Sequence, residues 1–189
     1  MDVSLSPLGE AEAKAAALYL QQFDLDLVVS SPLSRAIFGA KQVLGLQKNN
    51  EAAVVKMEDF RELDRGSWCG LTKDEIGLEM MAKFDACDES VTPENGESYT
   101  TLKKRVLQER DAVLDRLSAG KAATIVSHLQ VTRSMLSDAL GIPTSEMAGL
   151  GIATASVTCI DYDADGTQTV HFQSFKPDVG LAKSIDGAN

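Results

Sequence analysis

The chain has 189 residues, with 18 Lys and Arg against 28 Asp and Glu, a formal charge of −10, and 44% hydrophobic residues. That apolar share excludes disorder, and the length suits one domain with a full core. No apolar run approaches the roughly 18 residues of a membrane span, and the acidic balance lacks the clustered Lys and Arg that a dedicated nucleic-acid binder needs.

Residues 4–23 predict a helix. Ser6 can cap it, Pro7 suits its first turn, Glu10 and Glu12 favour its positive end, and Leu8, Ala11, Ala15 and Leu18 share one face. Residues 25–30 (LDLVVS) are a short apolar run with adjacent valines, the pattern of a buried strand. Ser31-Pro32 then opens a second helix to residue 46, with Ala36, Ala40 and Val43 inward. Residues 53–57 (AVVKM) suggest another strand. From 60 to 77 there is no clean period, and charged residues, glycines and the single tryptophan mix. Such an irregular, partly exposed segment carries function when set on a rigid scaffold. Thr72 caps a short helix from Lys73, and residues 85–96 read as an acidic loop with the turn signals Thr92-Pro93 and Asn95-Gly96.

Residues 98–117 form an amphipathic helix with Leu102, Val106, Val113 and Leu117 as its core stripe and Gly120 as its C-cap. Residues 122–126 (AATIV) are a strand, and Ser127-His128 leads into a helix to Leu140, closed by Gly141 and Pro143. Residues 156–161 and 168–174 alternate around Asp165-Gly166 as a hairpin, and the chain after 176 reads as a loose tail. The order predicts an α/β domain over 1–175, with a mainly parallel central sheet, and a tail over 176–189. Cys69, Cys87 and Cys159 are odd in number and far apart, which points to a reducing, cytoplasmic setting without a disulfide framework or zinc knuckle. The first ten residues show no secretory signal, and His128 and His171 are too few for a multi-histidine metal site.

Ligands of α/β sheets gather at the carboxyl ends of strands. Two such ends carry residues suited to phosphate. Ser30-Ser31-Pro32-Leu33-Ser34-Arg35-Ala36 offers a helix N-terminus and a planar cation, and Ser127-His128 stands where another strand enters a helix. Glu62 lies in the irregular segment. Taken singly, each is an ordinary cap, surface charge or structural histidine.

In sequence order they resemble the histidine phosphatase superfamily, the group with the cofactor-dependent phosphoglycerate mutases. Residues 4–13 (SLSPLGEAEA) look like its L-T-x-x-G-x-x-Q-A helix start, and Ser30 to Ala36 is similar to its S-x-L-x-R-A motif. Leu63, Gly66, Trp68, Gly70, Leu71 and Thr72 fit its E-x-x-x-G-x-W-E-G region, with Glu62 just ahead. Gly96-Glu97-Ser98 matches its G-E-S helix start, and Val126-Ser127-His128 with Val131 and Arg133 its V-S-H signature. The resemblance implies a three-layer α/β/α phosphoglycerate mutase-like fold and a metal-independent, cofactor-free mechanism through phosphohistidine. The substrate would be a small phosphorylated molecule. Arg35 would clamp the phosphate, His128 would donate to the phosphoryl oxygens, Glu62 would protonate the leaving oxygen, and Leu129 and Gln130 would offer backbone N–H groups.

The family's nucleophile lies in an Arg-His-Gly motif at the end of a first, central strand, and no Arg-His-Gly occurs in these 189 residues. The expectation is a sequence without that strand, whose neighbours are left with unpaired backbone groups at about 1–3 kcal/mol each. If a segment precedes Met1, an organellar targeting peptide could lie there too. Leu129 and Gln130 stand where many members have Gly-Gly or Gly-Asn, and Cys69 where an acid is common. His171 reads as a strand-face residue. A phosphomonoester hydrolase is the leading expectation, because the segment between Gly70 and Ser98 is shorter than in the mutases. A mutase-type phosphotransferase, an inactive pseudophosphatase that binds phosphorylated ligands and a fragment that does not fold alone are the alternatives.

Overall fold

The computed structural model describes residues 2–48 and 53–180. Helix α1 (Pro7–Leu20) starts where the sequence predicts, with the Ser6 hydroxyl accepting the Gly9 N–H at 3.2 Å. Then follow β1 (Leu27–Ser30), α2 (Ser34–Gly45), β2 (Val55–Lys56) and 3₁₀ turns at Glu58–Phe60 and Gly66–Trp68. Two short helices come next, α3 (Lys73–Ile76) and α4 (Leu78–Asp85), then α5 (Tyr99–Leu114), β3 (Ala123–Val126) and α6 (Leu129–Ala139). A 3₁₀ stretch at Thr144–Gly149 precedes the hairpin of β4 (Val157–Tyr162) and β5 (Gln168–Phe175).

The parallel sheet has the order β2-β1-β3. β1 alternates between its two faces. Val28 packs with Ala17, Ala40 and Val43 of α1 and α2, while Val29 joins Phe60, Phe84, Tyr99, Leu102, Val106, Val131 and Met147 on the other face. One strand thus nucleates both helical layers. No described helix is long and apolar enough to cross a membrane.

The structure corrects several expectations. β1 pairs on one edge with β2 and on the other with β3, from Leu27 against Ala123 to Ser30 against Val126, while β3 pairs on one edge only among the described residues. The hairpin does not join this sheet and forms a two-stranded sheet of its own. It packs instead through Phe172 and Phe175, whose rings lie 6.5 and 4.6 Å from that of Tyr19 on α1. Helix α2 starts at Ser34 rather than at Ser31-Pro32, because the Ser31 N–H still bonds the Val126 carbonyl at 2.9 Å. Helix α5 ends at Leu114 with Asp115 as its C-cap, short of Gly120. Helix α4 was not expected, yet it buries Met81 and Phe84. Residues 181–189 of the expected tail lie outside the described residues.

The segment from Glu62 to Gly66 is held against residues 94–97. Gly66 has φ +46°, and a Cβ there would lie 2.3 Å from the Glu94 carbonyl oxygen and 2.3 Å from the Gly96 nitrogen. Backbone atoms cannot yield as a flexible side chain can. Gly66→Ala is expected to lower the unfolding free energy by about 2 kcal/mol or more. A fall in the urea midpoint at unchanged slope measures it.

Candidate active site

Because Ser30 faces Val126, the carboxyl ends of β1 and β3 lie side by side. Whatever leaves those ends is brought together: Ser31 and Arg35 from the first, His128, Leu129 and Gln130 from the second. His128 is buried, and its Nε2 lies 2.7 Å from the Ser31 hydroxyl oxygen. Ser31 is itself fully buried, and its hydroxyl oxygen also accepts the Leu33 N–H at 3.3 Å. The serine therefore fixes the ring, whichever partner carries the shared proton, and leaves Nδ1 as the ring's other polar atom.

Burial, then the Arg35 and Arg105 cations, push the His128 pKa down to about 4, against a smaller opposing pull from Asp2. The imidazole is therefore neutral at pH 7, with one donor and one acceptor nitrogen. Arg35 stands in the first turn of α2, and its buried Nη1 has no hydrogen-bond partner among the described residues. An unsatisfied buried donor is costly, and an anion bound there relieves it.

Glu62 completes the group. Its Oε1 accepts the Leu63 N–H at 2.8 Å, and its Oε2 accepts the Gln130 N–H at 3.4 Å. Burial raises the pKa of this carboxyl, opposed by those two N–H groups and by Arg35 and Arg65. The Gln130 N–H, expected to face phosphate, thus serves Glu62 in this structure, while the Leu129 side chain is exposed. The start of α2 is also occupied: the Asp2 carboxylate accepts the Ser34 N–H at 2.9 Å and its hydroxyl at 2.8 Å. His171 lies on β5, 2.7 Å from Asp161 across the hairpin.

Sequence reasoning missed Ser31, Asp2 and Arg105. A serine closing a buried apolar strand was a readable signal for Ser31, since a fully buried hydroxyl needs a partner. Nothing local marked the other two. Among the described residues no three His, Cys, Asp or Glu side chains gather as metal ligands.

A family model described as histidine phosphatase superfamily (branch 1) matches residues 1–174. The chain belongs to this superfamily. It is 32% identical over 173 residues to bifunctional protein Rv2228c of Mycobacterium tuberculosis, an alignment covering 88% of this chain and 45% of that one. The chain thus spans under half the length of that relative. It is 30% identical to phosphoserine phosphatase 1 of Hydrogenobacter thermophilus, over 85% of this chain and 75% of that one. It is 28% identical to the 2,3-bisphosphoglycerate-dependent phosphoglycerate mutase of Cytophaga hutchinsonii, over 86% and 78%. The solved structure of Bacillus stearothermophilus YhfR superposes with a TM-score of 0.83 at 25% identity, covering 92% of this chain and 86% of that one.

The depressed pKa of His128 has a signed consequence. The unfolded chain takes up this proton near the ordinary 6.5, the folded chain only near 4. The contribution is complete above pH 6.5 and is lost as pH falls to 4, by about 3 kcal/mol. His128→Asn is expected to flatten the pH dependence of stability across that window. NMR of the His128 ring should give a midpoint near 4 that rises when phosphate is added.

Proposed function

We propose that these residues are the phosphate-binding body of a metal-independent phosphomonoester hydrolase that acts through a phosphohistidine on a small phosphorylated metabolite. The observation that carries this reading is the buried Nη1 of Arg35, unpartnered among the described residues, close to a buried, neutral His128. Arg35 holds the phosphoryl oxygens and His128 donates a hydrogen bond to one of them, so developing negative charge meets fixed donors in a site shielded from water. Glu62 in its protonated form gives its proton to the leaving oxygen as the ester O–P bond breaks and an N–P bond forms on the nucleophilic histidine. Water then attacks phosphorus, the N–P bond breaks, and the Glu62 carboxylate takes the proton of that water. The raised pKa of Glu62 suits both steps.

The nucleophile divides the reading into two halves. Residues 1–189 contain no Arg-His-Gly, and His171 is engaged with Asp161. The binding half is held by Arg35, His128 and Glu62; the nucleophilic half needs an Arg-His-Gly strand. The engagement of His171 with Asp161 favours a second reading, a pseudophosphatase that binds phosphorylated ligands without turnover. The similarity to a phosphoglycerate mutase supports a phosphotransferase, in which a substrate hydroxyl replaces water. The phosphoserine phosphatase relative supports hydrolysis of a small phosphate ester. Three free cysteines suit a reducing compartment, the cytoplasm in our reading.

Calorimetry on 1–189 with inorganic phosphate tests the binding half. Binding is expected, and Arg35→Gln should weaken it about tenfold or more, a loss of about 1.4 kcal/mol. Equal binding by Arg35→Gln would sink this assignment. For the nucleophilic half, 1–189 is expected to leave p-nitrophenyl phosphate intact in the presence of EDTA. The same chain preceded by a strand ending in Arg-His-Gly should hydrolyse it and yield an acid-labile phosphohistidine. Its kcat should fall as pH rises through the raised pKa of Glu62, because the proton donor is then lost. Binding without any phosphohistidine in that chain leaves the pseudophosphatase.

A further inference from the structure

Arg105 lies mid-way along α5, outside every motif that marked the site. Its guanidinium forks onto Glu97, with Nε 2.6 Å from Oε1 and Nη2 2.7 Å from Oε2. The pair is largely enclosed, its side chains 19% and 11% exposed. The remaining donors leave the helix and reach the loop that carries Glu62. Nη1 donates to the carbonyls of Asp59 and of Arg61, the latter at 3.0 Å, and Nη2 points at the Glu62 carbonyl from 3.5 Å. Glu97 holds the far side: its N–H donates to the Asp64 carbonyl at 2.9 Å, and its Oε2 accepts the Asp64 N–H at 3.4 Å.

Two side chains therefore grip residues 59, 61, 62 and 64 by the backbone, while the Glu62 carboxyl is left to Leu63 and Gln130. An enclosed bidentate pair gives fixed geometry rather than much net energy. Lysine cannot reproduce the fork, since its ammonium is a point charge. We infer that Arg105 and Glu97 are positioning residues for Glu62, holding the 59–64 loop on α5 so that its carboxyl is delivered to the Gln130 N–H beside Arg35. This rests on the reading of Glu62 as the proton donor.

The sign of a titration separates positioning from charge. The groups facing the carboxyl are Arg35 from α2, Arg65 and the Leu63 N–H from its own loop, and the Gln130 N–H from α6. Removing a cation that acted on Glu62 through its charge would raise the carboxyl pKa. Releasing the loop exposes the carboxyl and lowers it. Carboxyl-carbon NMR of 1–189, labelled at glutamate and assigned through Glu62→Gln, reads the difference. In Arg105→Gln the Glu62 midpoint is expected to fall toward the ordinary 4.5. Glu97→Gln should move it the same way by less. If Arg105→Gln does not fold, Arg105→Lys carries the same test, with charge kept and fork lost. An unmoved or rising midpoint in the folded variants overturns the inference.

Phosphate binding, measured on the same samples, keeps the two proposals apart. If the wild-type chain binds phosphate and has a raised Glu62 midpoint that the variants leave in place, only the positioning role falls. If it binds no phosphate and Glu62 titrates at its ordinary value, the functional reading falls.

Discussion

Ser30 and Val126 face each other where β1 and β3 end, and both sides of the proposed anion site take their positions from that pairing. The register continues past the strands, since the Ser31 N–H bonds Val126 and the Met57 N–H bonds the Ser30 carbonyl at 3.0 Å. β1 is thus stitched on both edges up to the residue where its side chains turn from apolar to polar. Val28 and Val29 anchor the two helical layers, and Ser31 presents a hydroxyl to His128. A slip of one residue in a parallel strand would exchange these faces, sending a valine to the imidazole and a serine into the core. Site and core share a single register.

The electrostatics of the site run against those of the chain. A formal charge of −10 describes the surface, while Arg35, Arg65 and Arg105 act on the enclosed groups. One burial effect treats the two titrating side chains oppositely: it pushes the histidine down, to its neutral form, and the carboxyl up, toward its acid form. At neutral pH the ring is therefore uncharged, and Arg35, with its buried Nη1 unpartnered among the described residues, is in our reading the cation left for an anion. Groups with titrations pushed in opposite directions by their surroundings are a recurring basis for acid and base roles.

What could be read beforehand followed the chemistry that has a local period or a local partner. The strand within LDLVVS and the Ser6 and Thr72 caps each involve residues within a few positions of one another, and they appear in the structure as β1 and at the starts of α1 and α3. Helix α4 escaped because Gly77 precedes it with no side-chain cap and it buries only Met81 and Phe84. The meeting of Arg35, Glu62 and His128 was legible only through the order of the motifs, as no single element announces it. Apart from Glu97, the partners of Arg105 are backbone carbonyls, which any sequence supplies, so no residue pattern could point to its grip on the 59–64 loop. The direct pairing of β1 with β3 was equally hidden, since both strands read as buried runs and neither names its neighbour.

That pairing also bears on how the molecule is made. Leu27 meets Ala123, 96 positions further along the chain, and Ser31 meets His128, 97 positions further. Contacts so distant along a chain demand their loop-closure entropy before they return any stabilisation, and topologies rich in them fold slowly. During synthesis β1 emerges long before its partner, with an apolar edge open to wrong associations until α6 has followed it out. The Ser31 to His128 contact then closes with the last strand of the parallel sheet. If the site holds phosphate as proposed, a chain that does so has by that token closed the contact between Ser31 and His128, so anion binding would report on this step of folding as well as on chemistry.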